Sequence, residues 1–77
     1  MNIKQRVVIC FANVFSDLSE DKIPLASMDS VPSWDSVAHV TLIASLAEEF
    51  GQQFELEDFE EMVSFQKVME SLETKLS

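Results

Sequence analysis

Trp34-Asp35-Ser36-Val37 opens the run VAHVTLIASLAEEF, which ends at Phe50, and this join between a polar stretch and an apolar one decides how the chain folds. An acid and a hydroxyl suit a helix start, because their side chains accept the first backbone N–H groups. The spacing predicts a helix from about Ser36 to Phe50. Val37, Val40, Ala44 and Ala47 lie on one line of it, and Leu42, Ile43, Leu46 and Phe50 widen that line into a broad apolar face. Gly51, the only glycine, stands where a left-handed cap closes the helix. Glu48 and Glu49 come just before it, at the end where the helix dipole disfavours acids, so their use lies elsewhere than in helix stability.

Upstream, Leu18 to Asp35 has no regular period and carries Ser, Asp, Met and both prolines, Pro24 and Pro32. It reads as a long ordered loop anchored by Ile23, Leu25, Met28 and Val31, a length that is usually functional when ordered. Before it, Ile3, Val7, Cys10, Phe11, Val14 and Leu18 recur at threes and fours, which predicts a first helix from about Ile3 to Asp17. Downstream, Glu55 to Met62 allows one or two helical turns that tuck Phe59 and Met62 inward and leave carboxylates outside. Ser64 is the expected N-cap of a last helix, whose apolar positions are Phe65, Val68, Met69, Leu72 and Leu76. The sum is an all-α fold, a bundle of three main helices with one short third helix and a long first loop.

Seventy-seven residues make a single domain spanning positions 1–77. A chain this short buries only about 60% of the surface its unfolded form exposes, which argues against a deep enclosed active site. Fourteen acids against five bases give a formal charge of −9, which repels nucleic-acid phosphates and anionic lipid headgroups and attracts basic protein surfaces. Cys10, alone in an apolar run, reads as a buried and inert thiol. MNIKQRVVICFANVF superficially resembles a secretion signal, but its apolar run is short, Asn13 breaks it, and no small-residue cleavage site follows. No stretch reaches the roughly 20 apolar residues of a membrane span. A soluble, cytoplasmic monomer is the expectation.

With that helix order in place, the chain resembles the acyl and peptidyl carrier proteins over essentially its whole length. The residues that carry the resemblance are Asp35-Ser36-Val37, where that family has Asp-Ser and an apolar residue, and Leu46, Glu48, Glu49 and Phe50 at the close of the same helix. The stretch SVPSWDSVAHVTLIASLAEEFG is similar to free-standing carriers of specialised biosynthetic pathways, which often show Trp-Asp-Ser and then, after two intervening residues, His. The resemblance implies a four-helix acyl-carrier-like bundle in which Ser36 is esterified by 4′-phosphopantetheine. A separate phosphopantetheinyl transferase, dependent on magnesium, takes the arm from coenzyme A, and the arm's thiol then holds an acyl or aminoacyl group as a thioester. It also implies that Asp35 caps the helix and helps the transferase engage the site. The protein is then a carrier and not an enzyme.

The position suits that chemistry, since a helix N-terminus accommodates a phosphodiester anion. Ser36 as a catalytic nucleophile is poorly supported, because His39 is the only histidine and no Gly-x-Ser-x-Gly elbow surrounds the serine. His39, three residues after Ser36, is read as a partly exposed residue that meets partners or solvent, in preference to one lying beside the phosphate. Trp34 is read as a hydrophobic clamp on the loop. No His, Cys and carboxylate spacing suggests a metal site.

Partners are acyl-loading and acyl-transferring enzymes with basic surfaces, attracted by the acids from Glu48 to Glu61. At about 1.5 Å per residue, Glu48 lies about 18 Å from Ser36 along the helix, so contact near the serine falls to Val37, Ala38, His39, Val40 and Thr41. That departs from the carriers of fatty-acid synthesis, which set acids along the second helix. Three functions remain open: an acyl carrier for a dedicated pathway, an aminoacyl or peptidyl carrier, and an unmodified acidic interaction module. Short or polar cargo is expected, since Phe50, Phe54, Phe59 and Phe65 fill the space between helices.

Overall fold

A computed structural model describes residues 2–76 and shows four α-helices in sequence: α1 (Ile3–Val14), α2 (Ser36–Phe50), α3 (Leu56–Glu61) and α4 (Phe65–Leu76). No strand occurs among the described residues, in agreement with the all-α expectation. Neither is any described helix long and apolar enough to cross a membrane.

Asn2 starts α1 by a reciprocal cap: its Oδ1 accepts from the Gln5 N–H at 2.8 Å, and Gln5 Oε1 accepts from the Asn2 N–H at 3.1 Å. The helix stops at Val14, three residues short of the expected Asp17. Phe15 turns out of helical geometry at φ −114° and ψ 73°, and Ser16 and Asp17 beyond it are residues that compete with a helix for backbone bonds. The turn leaves Phe15 buried against Phe11 and Trp34, with ring centroids 5.9 and 5.4 Å away. Cys10 is buried as expected, and burial pushes its thiol pKa up, which keeps it unreactive.

The loop contains a 3₁₀ turn, Ile23–Leu25, that periodicity did not reveal. In this tight helix residues three apart eclipse, so Ile23 and Ala26 both face the core while Leu25 points outward and is 81% exposed. Leu25 is therefore not an anchor; Ala26 takes its place beside Ile23 and Val31, and Met28 is only half-buried. Backbone bonds from Met28 N–H to Val63 O (3.0 Å) and from Phe65 N–H to Ala26 O (2.9 Å) pin this loop to the start of α4. Ser64 Oγ accepts the Lys67 N–H at 3.1 Å, the expected cap of α4.

On α2 the inward face differs from the expected line. His39, Leu42, Ile43, Leu46 and Phe50 are buried, whereas Val37 and Val40 are 76% and 56% exposed and Ala44 is exposed too. A helix apolar on two sides buries the side with more apolar area, at about 25 cal/mol per Å², and Leu, Ile and Phe outweigh Val and Ala. Gly51 adopts φ 60° and ψ 35°, the left-handed cap its position suggested.

Met62 just after α3 is fully buried and Phe59 is half-buried, but no residue within α3 itself is buried. Asp58 therefore matters: one carboxylate oxygen accepts the Glu55 N–H at 2.9 Å and meets Lys75 Nζ at 3.0 Å, joining the start of α3 to the end of α4. The Glu55 N–H bond first, and the Lys75 partner second, hold the Asp58 carboxyl below the usual carboxylate range. Because that pKa is lowered on folding, its stabilisation is complete above the unfolded pKa and is lost as pH falls through the folded one. The stability difference between the parent and Asp58→Asn, followed by urea denaturation, is thus predicted to be present at neutral pH and to vanish once the medium is more acidic than the folded carboxyl.

Candidate functional site

Asp35, in extended backbone at φ −96° and ψ −173°, is the N-cap of α2, and its Oδ1 accepts the Ala38 N–H at 2.9 Å. Its carbonyl takes the first helical bond, from the His39 N–H at 2.9 Å. Capping thus falls to Asp35 and leaves the Ser36 hydroxyl without a hydrogen bond among the described residues. Ser36 is exposed at the first helical position, where the N–H groups of Ser36 and Val37 have no partner within the helix. An exposed oxygen beside two free N–H donors at the positive end of a 15-residue helix is a place where an anionic ester is stabilised.

His39 is the main correction to the sequence reading. It is 3% exposed, buried and not the partly exposed residue its position suggested. Leu42, Ile43, Leu46 and Phe50 follow it at helical spacing on the same inward face, and it is the polar member of that row. Trp34 Nε1–H donates to His39 Nδ1 at 3.0 Å, and His39 Nε2 lies 2.7 Å from the carbonyl oxygen of Phe59. Since the indole nitrogen only donates and the carbonyl only accepts, the ring is neutral, with its hydrogen on Nε2. The Phe59 carbonyl belongs to the last turn of α3, where helical partners run out, and His39 supplies the missing donor. Trp34 is 2% exposed and meets Phe11 edge-on, with centroids 5.4 Å apart and planes at 84°. It clamps the loop as expected, and it also orients the histidine.

Around this relay the surface is apolar. An open groove of about 220 Å³ beside the serine is lined by Met28, Ser36, His39, Phe59, Glu60 and Val63. A second open groove, of about 310 Å³, runs along α2 past Val40, Ala44 and Ala47 to Phe54 and again to Phe59, so one side chain stands between the two. Of the expected contact residues, Val37, Val40 and Thr41 are exposed and Ala38 is half-buried. Met28, Phe59, Glu60 and Val63 were not foreseen, because they reach the serine through the loop and α3 and not through α2.

The two acids closing α2 differ in role. Glu48 is exposed. Glu49 is engaged: Arg6 Nε meets its Oε2 at 2.8 Å, and another Arg6 nitrogen donates to its backbone carbonyl at 2.7 Å. Arg6 also lies 4.4 Å from the Phe50 ring centroid. Arginine from α1 thereby caps the carbonyl end of α2 and offsets the unfavourable acid, which gives Glu49 a structural use and removes it from the free acid patch. Among the described residues, no three His, Cys, Asp or Glu side chains gather as a metal ligand set.

Trp34→Phe keeps an aromatic ring but deletes the N–H donor and part of the buried indole volume, leaving His39 Nδ1 buried and unpartnered. We expect the unfolding free energy to fall by about 1–3 kcal/mol. In thermal unfolding each kcal/mol amounts to about 4–8 °C in a chain of this size. His39→Leu, which removes the relay's centre, should lower stability and also strip the Phe59 carbonyl of its donor.

Comparison of the chain with protein-family models, with curated proteins and with solved structures returns no match.

Proposed function

We propose that this protein is an acyl carrier of a specialised biosynthetic pathway, with 4′-phosphopantetheine attached to Ser36. The observation that carries the reading is the division of labour at the start of α2: Asp35 takes the cap, and the serine hydroxyl stays exposed and unbonded. A serine that served only as a cap would have its oxygen on a backbone N–H. The arm's own contribution is a terminal thiol that holds cargo as a thioester.

The surrounding residues fit that group. The free N–H groups of Ser36 and Val37 would donate to the phosphodiester, and the apolar groove past Met28 and Phe59 would give a short cargo partial cover from water. Attachment would form a phosphorus–oxygen bond at Ser36 Oγ and break the pyrophosphate of coenzyme A, with adenosine 3′,5′-bisphosphate as the leaving group. The hydroxyl proton would pass to a base on the phosphopantetheinyl transferase; His39 does not take it, because both its nitrogens are committed. The chain is then a substrate of enzymes and not a catalyst, working as a cytoplasmic monomer.

Exposed Val37 and Val40 beside the serine, with Leu25 and Leu56 at 81% and 73% exposure, supply apolar contacts for partner enzymes. Glu48, Glu57, Glu60 and Glu61 are exposed and speed the encounter with basic surfaces. An aminoacyl cargo uses the same attachment; the apolar lining of the groove favours the acyl one.

Incubation with coenzyme A, magnesium and a broad-specificity phosphopantetheinyl transferase should add the mass of one phosphopantetheine to the parent and none to Ser36→Ala. Absence of any gain on folded parent protein with several transferases would refute the carrier reading in favour of an unmodified interaction module. Val37→Glu should lower kcat/KM for the transfer by roughly tenfold or more at unchanged Tm.

A further inference from the structure

We propose that Phe59 determines which cargo the carrier takes: it is a fixed partition that stops an acyl chain lying in the groove beside Ser36, and so confines the protein to short chains. The inference rests on the carrier reading and adds to it a limit on length. Two open apolar grooves lie on this side of the molecule, one of about 220 Å³ that Ser36 itself lines and one of about 310 Å³ along α2. Phe59 is the residue common to both linings. A chain that starts in the first groove therefore reaches the second only across Phe59.

Phe59 is held at two points. Its carbonyl oxygen accepts from His39 Nε2 at 2.7 Å, and its ring packs on the imidazole with centroids 4.5 Å apart and planes at 58°. His39 is fixed in turn by the Trp34 indole at 3.0 Å, and both of these rings are buried. A side chain tied to the core through its backbone and through its ring swings aside only by giving up packed contacts. The partition is thus a wall built into the folded chain before any cargo arrives.

The lining of the first groove selects its occupant. Met28, Phe59 and Val63 are apolar, and the charged side chain among the lining residues is Glu60, which repels a cargo ending in a carboxylate and leaves the groove to a neutral hydrocarbon. Each carbon covered there is removed from water, which is favourable for as long as cover lasts. A methylene is close in size to a water molecule, about 30 Å³, so the first groove takes about seven carbons and later ones are turned out into solvent. Without the Phe59 ring the two spaces would join, and the second would take about ten more.

Loading the chain from acyl coenzyme A thioesters of increasing length, with the broad-specificity transferase and magnesium, gives a series in which intact mass first verifies one acylated arm per chain. No mass gain with any thioester refutes the carrier reading, and the length limit falls with it; a loaded series tests the limit alone. In the parent, Tm should rise by roughly 1–3 °C per added carbon up to about seven carbons and then stay level. In Phe59→Ala, which keeps the carbonyl that His39 holds, the rise should continue past that length, whatever the variant's own starting Tm. Nuclear Overhauser contacts from the chain's terminal methyl should end at Met28 and Phe59 in the parent and extend to Ala47 and Phe54 in the variant. A parent whose Tm climbs without a break, or does not respond to chain length, would overturn the proposal, as would contacts from the methyl to Ala47 in the parent. Should Phe59→Ala fail to fold, the break in Tm and the methyl contacts of the parent decide alone.

Discussion

A neutral imidazole with no spare nitrogen ties together the parts of this protein that lie far apart in sequence. Through Trp34 it reaches the aromatic layer of α1, through its own backbone it belongs to α2, and through the Phe59 carbonyl it holds the end of α3. Each partner's polar group would otherwise be left buried or short of a donor, and none of the described buried side-chain nitrogens or oxygens lacks a partner. Such a line is worth more intact than its separate bonds suggest, because losing one member strands the others. It also sets the surface nearby: with Asp35 occupied by the Ala38 N–H and His39 by its two neighbours, the Ser36 hydroxyl and the Glu60 carboxylate are the polar side chains left over in the groove.

The same economy explains the two faces of α2. A helix whose inward face is filled by Leu42, Ile43, Leu46 and Phe50 has no core left for Val37, Val40 and Ala44. They remain outside, next to the serine, where monomeric proteins seldom leave several apolar side chains together without a use. Charge is distributed in the complementary way. Arg6 and Lys75 are spent on Glu49 and Asp58, both structural, so the acids still free on α3 and at Glu48 are those that a basic partner meets.

Much of this was legible in the sequence. Helical periodicity, the Asp35-Ser36 start, Gly51 and Ser64 located α2 and the start of α4 closely, because caps and a left-handed position are local demands on one or two side chains. Where α1 stops was not, since Phe15 leaves the helix for the sake of rings on another element. Leu25 was misplaced because a 3₁₀ turn shifts the inward position to Ala26. The turn itself is fixed by a backbone pairing with the start of α4 far downstream, Ala26 with Phe65 and Ser27 with Ser64. His39 was misread for a similar reason. Its spacing to Leu42, Ile43 and Leu46 did mark it as inward, but burial of a polar ring is acceptable only if partners exist, and the Phe59 carbonyl cannot be anticipated from side-chain types. The resemblance to carrier proteins directed attention to Ser36; the groove residues on α3 and the loop came only with the fold.

The protonation site of His39 tests the arrangement most directly, and long-range ¹H–¹⁵N correlation spectra of the imidazole read it without any mutation. At neutral pH the structure requires a single, slowly exchanging tautomer with hydrogen on Nε2 and a bare Nδ1 that accepts from the Trp34 indole. A ring protonated at Nδ1, or one averaging between tautomers as an exposed histidine does, would contradict the account, because neither can accept from Trp34 while donating to Phe59.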